Sequence, residues 1–308
     1  MAKFGIALRK WLPALAAVAL AAKAALAPAM AAAQARQAEA PVEARPALWR
    51  VADEDTTIYL FGTMHALPRG LEWGTQRFAV ALAEADELVL EVAEGTDGMG
   101  DAMRAAAFRE GLPPIVERVP EERREALREA ISASGIPVQA FDGMKSWAAG
   151  LLLSLLAMQR LGIAGSSGVE AQLRSGWTGQ GHELTGLETA AEQLGFLDQL
   201  SEESQRLFLL SATESDEEVR RQFEAMRVAW TSGDVEAIAR TFNEDASMSR
   251  ELREVLLTRR NARWADWLKA RMERPGTVFV AVGAGHLAGE GSVQDMLARR
   301  GLGVQRVQ

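Results

Sequence analysis

The chain has 308 residues, 48% of them hydrophobic and 25% charged, the composition of a globular protein rather than of a disordered or multi-spanning one. Its formal charge is −8, and about −12 without the acid-free first 35 residues, so its surface repels phosphate backbones and nucleic acid is not an expected partner. It has no cysteine, which excludes disulfides, thiolate metal sites and thiol nucleophiles.

The first 35 residues read as an export signal. Lys3, Arg9 and Lys10 form a positive start, residues 11–22 are apolar, and small-residue cleavage patterns follow at Ala31-Ala32-Ala33 and Ala33-Gln34-Ala35. The competing reading is a retained membrane anchor over residues 11–33, which Pro13, Lys23 and Pro28 interrupt. A lead-in rich in Ala, Pro and Glu occupies 36–47, and the expected folded domain is 48–308. In a diderm bacterium such a protein is periplasmic, with membrane contact only through an uncleaved leader.

Residues 48–51 and 57–61 read as strands, 73–85 as a helix with apolar Phe78, Leu82 and Ala85, and 87–92 as a buried strand. The middle is mainly helical. Residues 121–134 form an amphipathic helix between Pro120 and Gly135, and 138–141 a short strand ending in Asp142. Residues 146–161 form an apolar helix too short to span a bilayer comfortably, hence a core helix. A strand-like run at 182–188 precedes three helical stretches at 190–200, 202–232 and 234–269, the last with a break. Residues 277–283 are the clearest strand, 292–300 a helix, and 303–307 a terminal strand. This order predicts an α/β (α+β) fold: a central mixed sheet built from N- and C-terminal segments, surrounded by helices, with a helical middle insertion.

Only three histidines are present, and two follow strands in matched settings, Gly62-Thr63-Met64-His65 and Gly283-Ala284-Gly285-His286. Glycine permits a sharp turn and close approach of the backbone, and ligands in open α/β sheets sit beyond the carboxyl ends of the strands. Two imidazoles delivered there suit a divalent metal (Mn, Co or Zn) or proton transfer. Glu91, Asp142 and Glu188 reach strand ends in the same way and could complete a metal site or act as a base. The plainer alternative for each carboxylate is a helix cap or a salt bridge. His182, ahead of a strand, reads as a surface residue. Gly165-Ser166-Ser167-Gly168 reads as a loop, and no His-Glu-x-x-His helix, Gly-x-Ser-x-Gly elbow or phosphate loop is present.

Five segments in order resemble the TraB/GumN family: Tyr59-Leu60-Phe61-Gly62-Thr63-Met64-His65, Glu87-Leu88-Val89-Leu90-Glu91-Val92, Gly186-Leu187-Glu188-Thr189-Ala190-Ala191-Glu192-Gln193-Leu194, Arg260-Asn261-Ala262-Arg263-Trp264 and Val280-Ala281-Val282-Gly283-Ala284-Gly285-His286-Leu287. That family includes the Tiki proteins, metal-dependent peptidases that clip an N-terminal segment from Wnt ligands. It also includes bacterial members tied to pheromone shutdown or exopolysaccharide gene clusters. The resemblance implies the fold of erythromycin-esterase-like and ChaN-like proteins. It implies a site made of the two Gly-x-x-His turns and a glutamate, here His65, His286 and Glu91. Gly168-Val169-Glu170 sits where relatives have Gly-Ile/Val-Asp, so Glu170 keeps an acid there, and Arg260-Asn261 implies a cation near the site.

The expectation is therefore an exported metal-dependent hydrolase of peptidase-like type, acting on a peptide or a small molecule. His65, His286, Glu91 and Glu188 would be the catalytic residues, and His65, His286, Glu91 and Glu170 the metal ligands. A binding or sequestering protein and a metal-independent esterase-like hydrolase are the alternatives. All three readings require residues 221 positions apart in the chain to meet at one place.

Overall fold

The computed structural model describes residues 44–68, 70–163, 165–244 and 249–308. The leader expected at 1–35 and most of the lead-in lie outside the described residues. Ala44 and Ala47, at the end of that lead-in, are buried, and the Arg45 N–H donates to the Thr231 carbonyl at 2.7 Å.

The described residues contain one six-stranded sheet of order β4-β3-β5-β2-β1-β6. Its strands are β1 (Leu48–Ala52), β2 (Thr56–Thr63), β3 (Glu87–Val92), β4 (Leu184–Glu188), β5 (Gly276–Gly283) and β6 (Val304–Arg306). β4, β3, β5 and β2 run parallel, and β1 is antiparallel to both β2 and β6. The mixed α/β architecture expected from the sequence is thus the one observed. The central strand, β5, comes from the C-terminal part of the chain.

Side-chain alternation explains the layering. Ile58 and Leu60 of β2, Val89 of β3, and Val278 and Val280 of β5 face Trp264, Leu268 and Leu297 on one side of the sheet. Phe61, Leu88, Leu90, Phe279 and Ala281 face Trp73, Phe78 and Trp230 on the other. A separate helical cluster gathers around Trp147, Phe141, Leu194 and Leu209.

Two segments depart from expectation. Residues 138–141 are not a strand: Gln139–Asp142 is a single helical turn, with the Ala140 N–H bonded to the Pro137 carbonyl. Pro137 presets a helical φ and Gly143 follows, so the segment lacks the length a strand pairing needs. The apolar helix Ser146–Arg160 buries its first half, through Trp147 and Leu153, while Leu155 is exposed. Gly150 lets it approach the helix Glu202–Ser211, since a Cβ there would lie 3.0 Å from the Leu209 Cα. Among the described residues no helix is long and apolar enough to cross a membrane.

Candidate functional site

Strand register brings the distant segments together. Thr63, the last residue of β2, pairs with Gly283, the last of β5, and Val92 pairs with Glu188 at the ends of β3 and β4. Glu91, Glu188, His65 and His286 leave the sheet at or just beyond this common carboxyl edge. His65 and His286 follow β2 and β5 within three residues.

Glu91 is the hub. It alternates to the same side of β3 as Val89, toward the helix Arg259–Arg271, and is buried. Its Oε1 accepts the Gly283 N–H at 2.7 Å and lies 3.7 Å from His286 Nε2. Its Oε2 accepts from Arg260 Nη2 at 2.6 Å and from Gln193 Nε2 at 3.0 Å. Burial alone would raise this carboxyl, but His286, Arg260, His65 and the Gly283 N–H outweigh it and hold it down at about 2.

His286 is buried as well. Its Nε2 lies 3.1 Å from Arg260 Nη1, which can only donate, so Nε2 accepts and the ring proton sits on Nδ1. That proton is donated to Asn261 Oδ1 at 2.6 Å, and the Asn261 amide nitrogen donates to the Gly291 carbonyl. Burial pushes the ring down to about 3 against the pull of Glu91, with Arg260 and His65 adding to the fall, so it is neutral at physiological pH. Arg260 is then the buried positive charge that remains against Glu91. Trp264 packs on the His286 ring at 4.3 Å between centroids.

His65 differs from these. Its side chain is 72% exposed, and its Nδ1 lies 2.7 Å from Glu170 Oε1. Glu170 also accepts from the Thr63 hydroxyl. The Glu170 carboxylate raises the imidazole, against desolvation, to about 9, while water around the open ring screens the pair. The other ring nitrogen faces the hub: a Cβ on Gly283 would lie 3.3 Å from His65 Nε2 and 3.1 Å from Glu91 Oε1. Glycine at 283 thus lets both groups converge on its face, where any side chain would crowd them.

Glu170 is placed by a loop contact. Gly168 packs so closely on the turn after β2 that a Cβ there would fall 2.1 Å from the His65 carbonyl oxygen, and the Val169 N–H donates to the Met64 carbonyl at 3.0 Å. The Gly165–Ser167 segment is a turn of 3-10 helix leading into this contact.

Glu188 joins the cluster with its oxygens engaged. It accepts from Arg260 Nε at 3.1 and 3.0 Å, Arg263 Nη2 at 2.7 Å and Trp264 Nε1 at 3.1 Å. It anchors Arg260, the arginine that reaches the hub. Asp142 is elsewhere: its carboxylate accepts the Ile115 N–H at 2.9 Å, an internal cap. His182 stacks on Trp177 at 4.7 Å beside the amino end of β4, the edge opposite the cluster.

The donors do not fit a divalent ion as they stand. Among the described residues no group of three or more His, Asp or Glu side chains converges on a metal position. The lone pair of His286 Nε2 and one oxygen of Glu91 are both taken by the Arg260 guanidinium. Sequence reasoning did not single out Thr63, Gln193 or Trp264, nor the bond from Asn261 to His286. Asn261, Gln193 and Trp264 all fall inside the quoted segments, which was the available signal. A cavity of about 390 Å³ lies against Asn261 and Gly285, lined also by Phe242, Leu257, Thr258 and Met296.

A model of the TraB/PrgY/gumN family matches residues 47–306, from the first strand to the last. The chain belongs to the TraB/PrgY/gumN family. Among its relatives, the uncharacterized protein YbaP of Escherichia coli (strain K12) is 28% identical over 243 residues, spanning 78% of this chain and 87% of its own. YbaP of Shigella flexneri matches to the same extent. No solved structure gives a significant match. The matched span contains both Gly-x-x-His turns, Glu91, Glu170, Glu188 and Arg260, so the whole cluster lies within the family's common region.

Proposed function

We propose that this TraB/PrgY/gumN chain hydrolyses an ester or amide bond. Glu91 accepts a proton from the water whose oxygen adds to the carbonyl carbon, and His65 gives its proton to the oxygen or nitrogen that leaves as the carbonyl bond to it breaks. The observation that carries this reading is the convergence of His65 Nε2 and Glu91 Oε1 on the same face of Gly283, 3.3 and 3.1 Å from where a Cβ there would lie. Their environments push them in opposite directions, His65 up to about 9 and Glu91 down to about 2. A protonated imidazole facing an ionised carboxylate is the arrangement in which one group protonates a leaving atom while the other orients water.

The rest of the cluster supports these two. Glu170 fixes the imidazole so that Nε2, not Nδ1, meets the substrate. Arg260, Gln193 and the Gly283 N–H hold Glu91 in place, and Glu188 holds Arg260. The exposure of His65 gives substrate a way in, which the buried His286 lacks. A peptide or small ester is the substrate class. The leader pattern in the sequence extends the proposal to an exported enzyme, checked by N-terminal sequencing of the mature protein.

The test is a screen of chromogenic esters and a peptide pool, with and without chelator. Turnover that survives chelation and falls by about 100-fold or more in His65→Gln and Glu91→Gln, with the fold retained, is expected. Turnover abolished by chelator and restored by Zn²⁺, Mn²⁺ or Co²⁺ would favour the metal-dependent reading. A folded protein that retains a peptide or ester unchanged would favour the binding reading.

A further inference from the structure

We propose that Arg260 is the resident cation of this cluster, seated where a divalent ion shared by His286 and Glu91 would otherwise lie, so that the wild-type chain takes no metal there. This concerns ion binding and stands whether or not the chain proves to be a hydrolase.

The geometry leaves little choice between guanidinium and ion. His286 Nε2 and Glu91 Oε1 are 3.7 Å apart, a gap that an ion with bonds of about 2 Å to each would bridge. Arg260 instead meets both groups, through Nη1 to the ring nitrogen at 3.1 Å and Nη2 to the carboxylate at 2.6 Å. Its Nε is spent on Glu188, and Nη1 also donates to the Leu256 carbonyl at 3.1 Å. A metal bound to His286 would need the lone pair that Arg260 occupies and would face that guanidinium at close range.

Charge balance points the same way. The buried carboxylates of Glu91 and Glu188 are matched by Arg260 and Arg263, and Glu170 is bonded to His65 and Thr63. A divalent ion would add charge that no remaining carboxylate in the cluster offsets.

Arg260 is also held in place. Its guanidinium carbon lies 4.7 Å from the Trp264 ring centroid and 5.6 Å from that of Phe196. The π-helical turn Glu254–Thr258 immediately before helix Arg259–Arg271 shifts the rotation of the residues that follow. That shift sits directly ahead of Arg260, Arg263 and Trp264, the three residues that close on Glu188.

The experiment is equilibrium dialysis and thermal melting of the chelator-stripped full chain with Zn²⁺, Mn²⁺ and Co²⁺. Wild-type protein is expected to bind no equivalent that depends on His286. Because Arg260→Ala removes the cation bonded to both Glu91 and Glu188, it is paired with Glu188→Gln. The folded double variant is expected to gain about one equivalent of Zn²⁺ with a rise in Tm, both lost on adding His286→Ala. A wild-type site that holds one equivalent and loses it on His286→Ala overturns the proposal. So does a folded double variant that gains nothing. If the double variant does not fold, wild-type dialysis with the His286→Ala control decides alone.

Discussion

Glu170 and His65 form the pair most easily read in solution. The Glu170 carboxylate raises the imidazole, so Glu170→Gln must lower it from about 9 toward its ordinary value, and ring-proton NMR titration reports the shift directly. In the hydrolase reading the alkaline limb of the rate profile moves to lower pH with it, because His65 must be protonated to donate. An unchanged His65 titration would show that the two do not interact. Acid acts on the buried partners instead. His286 is depressed to about 3, so below about pH 6.5 an unfolded chain takes up a proton that the folded one refuses. Glu91 is depressed to about 2, so the stability its ionised form contributes is present above its ordinary carboxylate range and lost as pH falls toward 2. Both effects have the same sign. Urea melts should show stability falling below about pH 6.5 and more steeply below about 4.5, and a shallower acid loss in His286→Gln.

Among the elements, the strands were legible and the loops between them were not. Near-continuous β-branched, aromatic and apolar runs in residues 57–61 and 277–283 mark strands buried on both faces, and the matched glycines mark where each strand must turn. The turn at Gln139–Asp142 was misread because one β-branched residue beside an aromatic imitates a short strand, whereas Pro137 and the Ile115 cap decide its conformation. The π-helical turn left no trace in apolar spacing, since one extra residue per turn alters the period less than sequence noise does. The contact at Gly168 was equally hidden: its φ is ordinary, and only the position of the His65 carbonyl makes a side chain intolerable. Gly168→Ala should therefore cost about 1–3 kcal/mol by overpacking and release Glu170 from His65. Its signature is a fall in the His65 pKa in NMR titration together with a lower Tm, whereas Gly165→Ala, with no atom nearer than 3.7 Å to its Cβ, should leave both nearly unchanged.

For the folded unit as a whole, the decisive fact is that β5 lies between β3 and β2, although it follows β3 by more than half the chain. Parallel pairing of residues 56–63 with 276–283 requires closing a very long loop before any ladder bond forms. The same closure assembles the cluster, because the register Thr63↔Gly283 sets His65 over Gly283. The sequence foretold that the two glycine turns must meet if either had a function. The resemblance at Arg260-Asn261 foretold a cation near the site, but not its seat between the imidazole and the carboxylates, since that depends on which face a distant helix presents. Two truncations separate these contributions. A chain ending at residue 302 loses β6, a three-residue edge strand paired with β1, and should melt cooperatively at a lower Tm. A chain ending at residue 275 loses the strand that bridges β3 to β2, along with Phe279 and Val280 from the two opposite faces of the core. It should keep helical far-UV circular dichroism but lose near-UV signal and any cooperative transition. If it instead melts as sharply as the longer truncation, β5 is not what joins the two halves of the sheet, and the convergence of His65 with Glu91 must be achieved without it.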